Sequence, residues 1–118
     1  MNRMLMKSMI PTQEYQLIVL QPQGRLDLQG ANTLREQIAG LVPQPHDLWV
    51  IDLANVEFMD KSGLVTIVRG LKAARHSGCR LVLCNLQPPV RLIFELTQLD
   101  SVFEIFESYD AVLTTVNP

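Results

Sequence analysis

Leu48–Leu53 reads LWVIDL, and a short junction later Lys61–His76 reads KSGLVTIVRGLKAARH. The first run is almost unbroken apolar sequence, as expected of a strand covered on both faces. The second sets Leu64, Ile67, Val68 and Leu71 on one helical face and Arg69, Lys72 and Arg75 elsewhere, so it predicts an amphipathic helix that stops at Ser77-Gly78. A second buried run, RLVLCNL at Arg80–Leu86, follows. Strand, amphipathic helix, strand is a crossover unit, and crossover units build parallel sheets.

The flanks repeat the pattern. Upstream, Tyr15–Leu20 (YQLIVL) predicts a strand closed by Gln21-Pro22-Gln23-Gly24, and Arg25–Leu28 alternates polar and apolar as a short half-buried strand. Ala31–Val42 carries Leu34, Ile38, Leu41 and Val42 at helical spacing, with Asn32 or Thr33 as cap and Pro43 as stop. Downstream, Pro88-Pro89 opens a helix with Val90, Ile93, Phe94 and Leu96 to Leu99 on its apolar side. Phe103–Phe106 is a last strand, and Tyr109–Val116 a last helix capped by Ser108. The order β, β, α, β, α, β, α, β, α predicts an α/β fold. The strands at Leu48, Arg80 and Phe103 are expected to be mutually parallel.

Composition narrows the function. The 118 residues are 47% hydrophobic and 19% charged, which excludes disorder as the main state and fits one domain with its own core. Ten Lys+Arg against twelve Asp+Glu leave a net charge of -2, which argues against a general nucleic-acid binder and so against a direct nucleic-acid partner. Cys79 and Cys84 fit no common zinc spacing, and a strand would point them to opposite faces, so both read as reduced core thiols. No apolar run reaches the roughly 18 residues of a membrane span. Residues 1–12 read as a flexible leader in which Lys7 and Ser8 interrupt the apolar run. The expected location is cytoplasmic.

The densest chemical signal is Val56–Leu64, VEFMDKSGL, at the junction between the central strand and the amphipathic helix. Such junctions lie at the carboxyl edge of the sheet, where α/β proteins place their sites. Asp60 or Ser62 suits the helix N-cap. The glycines of a nucleophile elbow are missing around Ser62, and no G-x-x-x-x-G-K-[ST] or G-x-G-x-x-G occurs. His46 and His76 read as solvated surface residues rather than bases. What remains is a hydroxyl presented at a helix N-terminus, a natural place to add and remove a phosphoryl group.

This stretch resembles the STAS domain, specifically the bacterial anti-sigma-factor antagonists. The matching residues are Val50-Ile51-Asp52-Leu53, Val56-x-Phe58-Met59-Asp60-x-Ser62-Gly63-Leu64, Gly78-Cys79-Arg80-Leu81-Val82-Leu83, Asn85-Leu86-x-Pro88, Val90-x-x-Ile93-Phe94 and Leu99-Asp100-x-Val102-Phe103, with Gly24-Arg25-Leu26-Asp27 before them. The resemblance implies a single STAS-type domain over residues 13–118, with the first strand antiparallel at an edge. It implies a regulatory binding module rather than an enzyme, without cofactor or metal. Such an antagonist binds an anti-sigma factor that is also a serine kinase, is phosphorylated on the serine before the motif's glycine, here Ser62, and is restored by a PP2C-type phosphatase. Other members of the fold serve as subunits of ABC-type lipid or solute transport systems or as parts of sensory scaffolds.

Around Ser62, Asp60 is expected to order the loop and Gly63 to admit a partner. Asp27 and Asn55 are expected at the same edge, and Arg69 on a docking face. Lys61 departs from the family's usual Ser or Thr at that position.

Overall fold

The computed structural model describes residues 16–116 and the backbone of residues 3–7. The main sheet has five strands in the order β1-β2-β4-β6-β7: Arg3–Lys7, Gln16–Leu20, Leu48–Asp52, Arg80–Cys84 and Glu104–Phe106. β2, β4, β6 and β7 are parallel, and β1 is antiparallel to β2 at the edge. A separate parallel pair joins β3 (Gly24–Leu26) to β5 (Val56–Met59). Among the described residues the helices are α1 (Leu28–Ala39), α2 (Lys61–His76), α3 (Pro88–Leu96) and α4 (Tyr109–Val116), with a 3-10 turn at Leu99–Ser101.

Burial on both faces explains why the central runs are almost wholly apolar, since alternate residues face opposite sides of the sheet. Ile18, Leu20, Trp49, Ile51, Leu53, Leu81 and Leu83 face one cluster, which also receives Leu34 of α1, Ile67 and Leu71 of α2, and Val90 and Phe94 of α3. Leu17, Val19, Leu48, Val50, Val82 and Cys84 face the other, under Val112 of α4. Both thiols are free and buried, Cys79 in the first cluster and Cys84 in the second. Full burial of one such aliphatic side chain contributes roughly 1.5–3 kcal/mol.

The α/β class and the parallel strands match the sequence reading, and α2 and α4 fall on their expected bounds. Four details differ. The strand expected over Tyr15–Leu20 is not the antiparallel edge: its described part, β2, runs parallel to β4. The edge is Arg3–Lys7, assigned in sequence to the leader; the remaining leader residues lie outside the described residues, as does Tyr15. β5 was not anticipated. Finally, α1 starts at Leu28, not Ala31, because Asp27 rather than Asn32 or Thr33 is its cap, and it ends before Gly40.

Candidate functional site

β3 and β5 run side by side, and each delivers its chain directly into a helix. Both helix starts therefore lie together at one end of the pair. The two are built alike. At α2, Asp60 holds extended backbone angles and its Oδ1 accepts from Ser62 N at 2.8 Å and Gly63 N at 3.3 Å. At α1, Asp27 Oδ1 accepts from Gly30 N at 3.1 Å. Each carboxylate satisfies N–H groups that a first turn leaves unpaired and favours the positive end of the helix dipole. The two starts are tied together, since Asp60 N donates to Leu26 O at 3.2 Å.

Glycine makes this proximity possible. A Cβ on Gly63 would stand 2.5 Å from Leu26 O, 2.8 Å from Leu26 Cβ and 3.0 Å from Met59 Cγ. Gly63 is buried. The space that the sequence reading reserves for an approaching partner is filled by Leu26 of the same chain, so Gly63 acts by letting α2 seat on β3.

Ser62 is half-buried in the first turn of α2. Its N–H is committed to Asp60, while among the described residues no hydrogen bond involves its hydroxyl. Lys61, the first residue of α2, is exposed and makes no ion pair among the described residues. Arg69 is exposed two turns on; seven residues bring it roughly 10 Å down the axis and back to nearly the angle of Ser62.

The structure brings Asp27, Asp60, Lys61, Ser62 and Gly63 together and leaves Asn55 out. Asn55 precedes β5, and its carbonyl accepts from Gly24 N at 2.7 Å where β3 begins. Asn55 thus sits at the opposite end of the pair from Asp27, at least the roughly 10 Å length of β5 away. Both Asp27 and Asn55 belong to turns of the same small sheet, but only Asp27 reaches the site.

Arg25 is a neighbour that residue-by-residue reading passed over. Its guanidinium lies 4.0 Å from the centroid of the Phe58 ring, and its Nε is 3.8 Å from Asp27 Oδ2. A cation over an aromatic face is worth about 0.5–1 kcal/mol when exposed. The pairing is invisible without β5, because Arg25 and Phe58 meet only through the register of β3 on β5.

A second polar group stands at the carboxyl edge of the main sheet. Asp52, buried, accepts from Gln21 Nε2 at 3.1 Å, Asn85 Nδ2 at 3.0 Å and Ala54 N at 3.0 Å. It ties the ends of β2, β4 and β6. Beside it, burial and the Asp52 charge push the Cys84 thiol up to about 12. Among the described residues no cluster of side chains is arranged to hold a metal ion.

Comparison with known proteins places this geometry in a family. The STAS domain model matches residues 9–112, and the chain belongs to the STAS domain family, among the bacterial anti-sigma-factor antagonists. It is 33% identical over 82 residues to the anti-sigma-B factor antagonist of Bacillus subtilis, covering 70% of this chain and 74% of that one. The anti-sigma factor antagonist SpoIIAA in its unphosphorylated form shares the fold with a TM-score of 0.64, at 17% identity, over 98% of this chain and 100% of that one. A sulfate transporter family protein from Wolinella succinogenes shares it with a TM-score of 0.75, at 13% identity, over 84% of this chain and 83% of that one.

Proposed function

We propose that this protein is an anti-sigma-factor antagonist that binds an anti-sigma serine kinase while Ser62 carries a free hydroxyl and lets go when Ser62 is phosphorylated. A PP2C-type phosphatase resets it. The supporting observation is the division of labour at the start of α2: Asp60 caps the helix, which leaves the Ser62 hydroxyl available at a half-exposed position. The Bacillus subtilis relative is named as an anti-sigma-B factor antagonist and the Paenibacillus polymyxa one as an anti-sigma F factor antagonist, and SpoIIAA has been solved in both unphosphorylated and phosphorylated forms. Phosphorylation adds about -1.5 to -2 charges to an interface fitted to a neutral hydroxyl. A loss of about 1.4 kcal/mol is enough to weaken binding tenfold.

The protein acts here as a binding module in the cytoplasm, without cofactor. Among the described residues no histidine stands beside Ser62: His76 ends the same helix, roughly 20 Å along its axis. Among the described residues no helix is long and apolar enough to cross a membrane. The test is capture from the source cell on Ser62→Ala and Ser62→Asp proteins, followed by phosphopeptide mapping with the captured kinase. The expected result is an anti-sigma kinase on the Ala form alone and phosphate on Ser62. An ABC-type ATPase held equally by both forms, or phosphate at Ser77 or Ser108 instead, would replace this reading.

A further inference from the structure

The charges of this chain are sorted by region. From Lys61 to Phe94 there is no Asp or Glu, and six Lys or Arg: Lys61, Arg69, Lys72, Arg75, Arg80 and Arg91. From Glu95 to the end there are five acids and no Lys or Arg. Folding neutralises part of this. Arg80 pairs with Glu104, Arg91 with Glu107, and Arg25 with Asp27. Among the described residues, none of the four cations on α2 has an ion-pair partner. Arg75 acts on Glu104 only at longer range, helping Arg80 hold that carboxyl below its usual range.

These four cations share one face. At roughly 100° per residue, Lys61, Val65, Arg69, Lys72, Arg75 and His76 fall within an arc of about 120°. All six are exposed. Opposite them, Gly63, Ile67, Gly70, Leu71 and Ala74 are buried. The result is an unanswered basic ridge about 24 Å long, with Ser62 beside its first residue.

We infer that this ridge docks on an acidic surface of a protein partner, one that presents carboxylates along the length of α2. The inference rests on the antagonist reading and names the chemistry of the partner's side. A protein fits better than an extended polyanion. The net charge is -2, and the acids from Glu95 to Asp110 would be pushed away by a nucleic acid or an anionic bilayer, whereas a bounded acidic patch meets only the ridge. Val65, exposed amid the cations, adds the apolar contact that protein interfaces bury at their centre.

The inference also explains the sign of the switch. A phosphate on Ser62 outweighs the single charge of Lys61 and turns that end of the ridge negative. The carboxylates drawn to the ridge are then repelled where it begins.

The test compares wild type, Arg69→Glu/Lys72→Glu, Ser62→Asp, and Arg35→Glu on α1 as a control away from the ridge. Association with the purified kinase captured by the Ser62→Ala form is followed at low and raised salt. In parallel, amide shifts are recorded during titration with poly-L-glutamate, with phosphatidylglycerol vesicles and with duplex DNA. The double reversal should slow association at least about tenfold at low salt, with the difference shrinking as salt rises, while Arg35→Glu changes it little. Poly-L-glutamate should shift amides of α2 in wild type and not in the reversal. If Ser62→Asp abolishes kinase binding but the reversal leaves its rate and salt dependence unchanged, the ridge inference falls and the antagonist reading stands. If no form binds a kinase, the antagonist reading falls, and poly-L-glutamate shifts on α2 alone decide the ridge. Tighter binding to vesicles or DNA than to poly-L-glutamate, lost in the reversal, overturns the choice of a protein partner.

Discussion

Replacing Gly63 by alanine should destabilise the protein although it puts the best helix former into a helix. Propensity alone favours Ala over Gly by about 1 kcal/mol. Against it, the new methyl would stand 2.5 Å from Leu26 O and 2.8 Å from Leu26 Cβ. The obstacle is backbone, which cannot swing aside as a side chain does. Leu26 O also accepts from Asp60 N, so any retreat of β3 stretches a hydrogen bond worth about 0.5–1.5 kcal/mol net. Overpacking of this kind costs about 1–3 kcal/mol. The net expectation is a loss of about 1–3 kcal/mol, or a fall in Tm of roughly 4–12 °C for a domain this size. Gly40→Ala is the matched control: its Cβ would meet nothing closer than 3.5 Å, and its φ of -81° suits alanine. That change should be neutral or stabilise by up to about 1 kcal/mol. Urea unfolding followed by circular dichroism reads both. Gly63→Ala within about 0.5 kcal/mol of wild type would show that β3 yields freely, and the account of how α2 is seated would be wrong.

Three further outcomes follow from the same geometry. Asp60→Ala leaves Ser62 N and Gly63 N without their acceptor and should cost about 1 kcal/mol in urea unfolding, with Asp60→Asn losing less. Asp47, fully buried, accepts from Gln16 N at 3.1 Å and Gln44 N at 2.8 Å, so Asp47→Ala should cost about 2–3 kcal/mol, and a loss under about 0.5 kcal/mol would contradict its role in joining β2 to the turn before β4. Cys84, with its thiol near 12 against the ordinary 9.0, should carry about a thousandfold less thiolate at neutral pH and resist alkylation in the native state. Because the folded value is the higher one, its contribution to stability is intact below pH 9 and falls away as pH rises towards 12, which alkaline unfolding curves of wild type and Cys84→Ala would show.

The elements legible in sequence were those with both a period and punctuation. α2 has an apolar stripe, an acid before it and Ser77-Gly78 after it, and α4 has Ser108, whose Oγ accepts from Ala111 N at 3.0 Å. What stayed hidden depended on pairing. β5 is four residues with one buried at each end, too short for alternation to announce it, and without it Arg25 has no visible neighbour. The start of α1 is hard to read because Gly30, between the Arg25–Leu28 alternation and the Ala31–Val42 helical spacing, looks like a break in the chain. In the structure Gly30 is helical, and its missing side chain makes room for the carbonyl of Arg25. Asp27 has the chemistry of a cap, but it is that packing which sets the helix start beside it. Ser62, Asp60 and Lys61 could be read because their chemistry is local; the separation of Asn55 from them could not, because it is set by the direction in which β3 and β5 run.

The same local chemistry implies that the proposed phosphorylation of Ser62 would act on the surface of this protein and not on its fold. In many helices the serine near the start is itself the cap, and modifying it would remove a bond that the first turn needs. Here the cap is Asp60, and what Ser62 contributes to the turn is its backbone N–H, which phosphorylation leaves in place. Among the described residues its hydroxyl gives up no hydrogen bond, so none is lost when it is modified. A negative group at this point also meets the positive end of α2, an interaction worth about 0.3–1 kcal/mol, with Lys61 next to it. Ser62→Asp should therefore leave Tm within a few degrees of wild type, with any change tending upward at low salt, while it abolishes binding of the kinase. Thermal unfolding and binding measured on the same preparation separate the two effects. A loss of more than about 2 kcal/mol in Ser62→Asp, or in the phosphorylated protein, would mean that the hydroxyl supports the first turn after all, and the switch would have to be rebuilt as a local unfolding of α2.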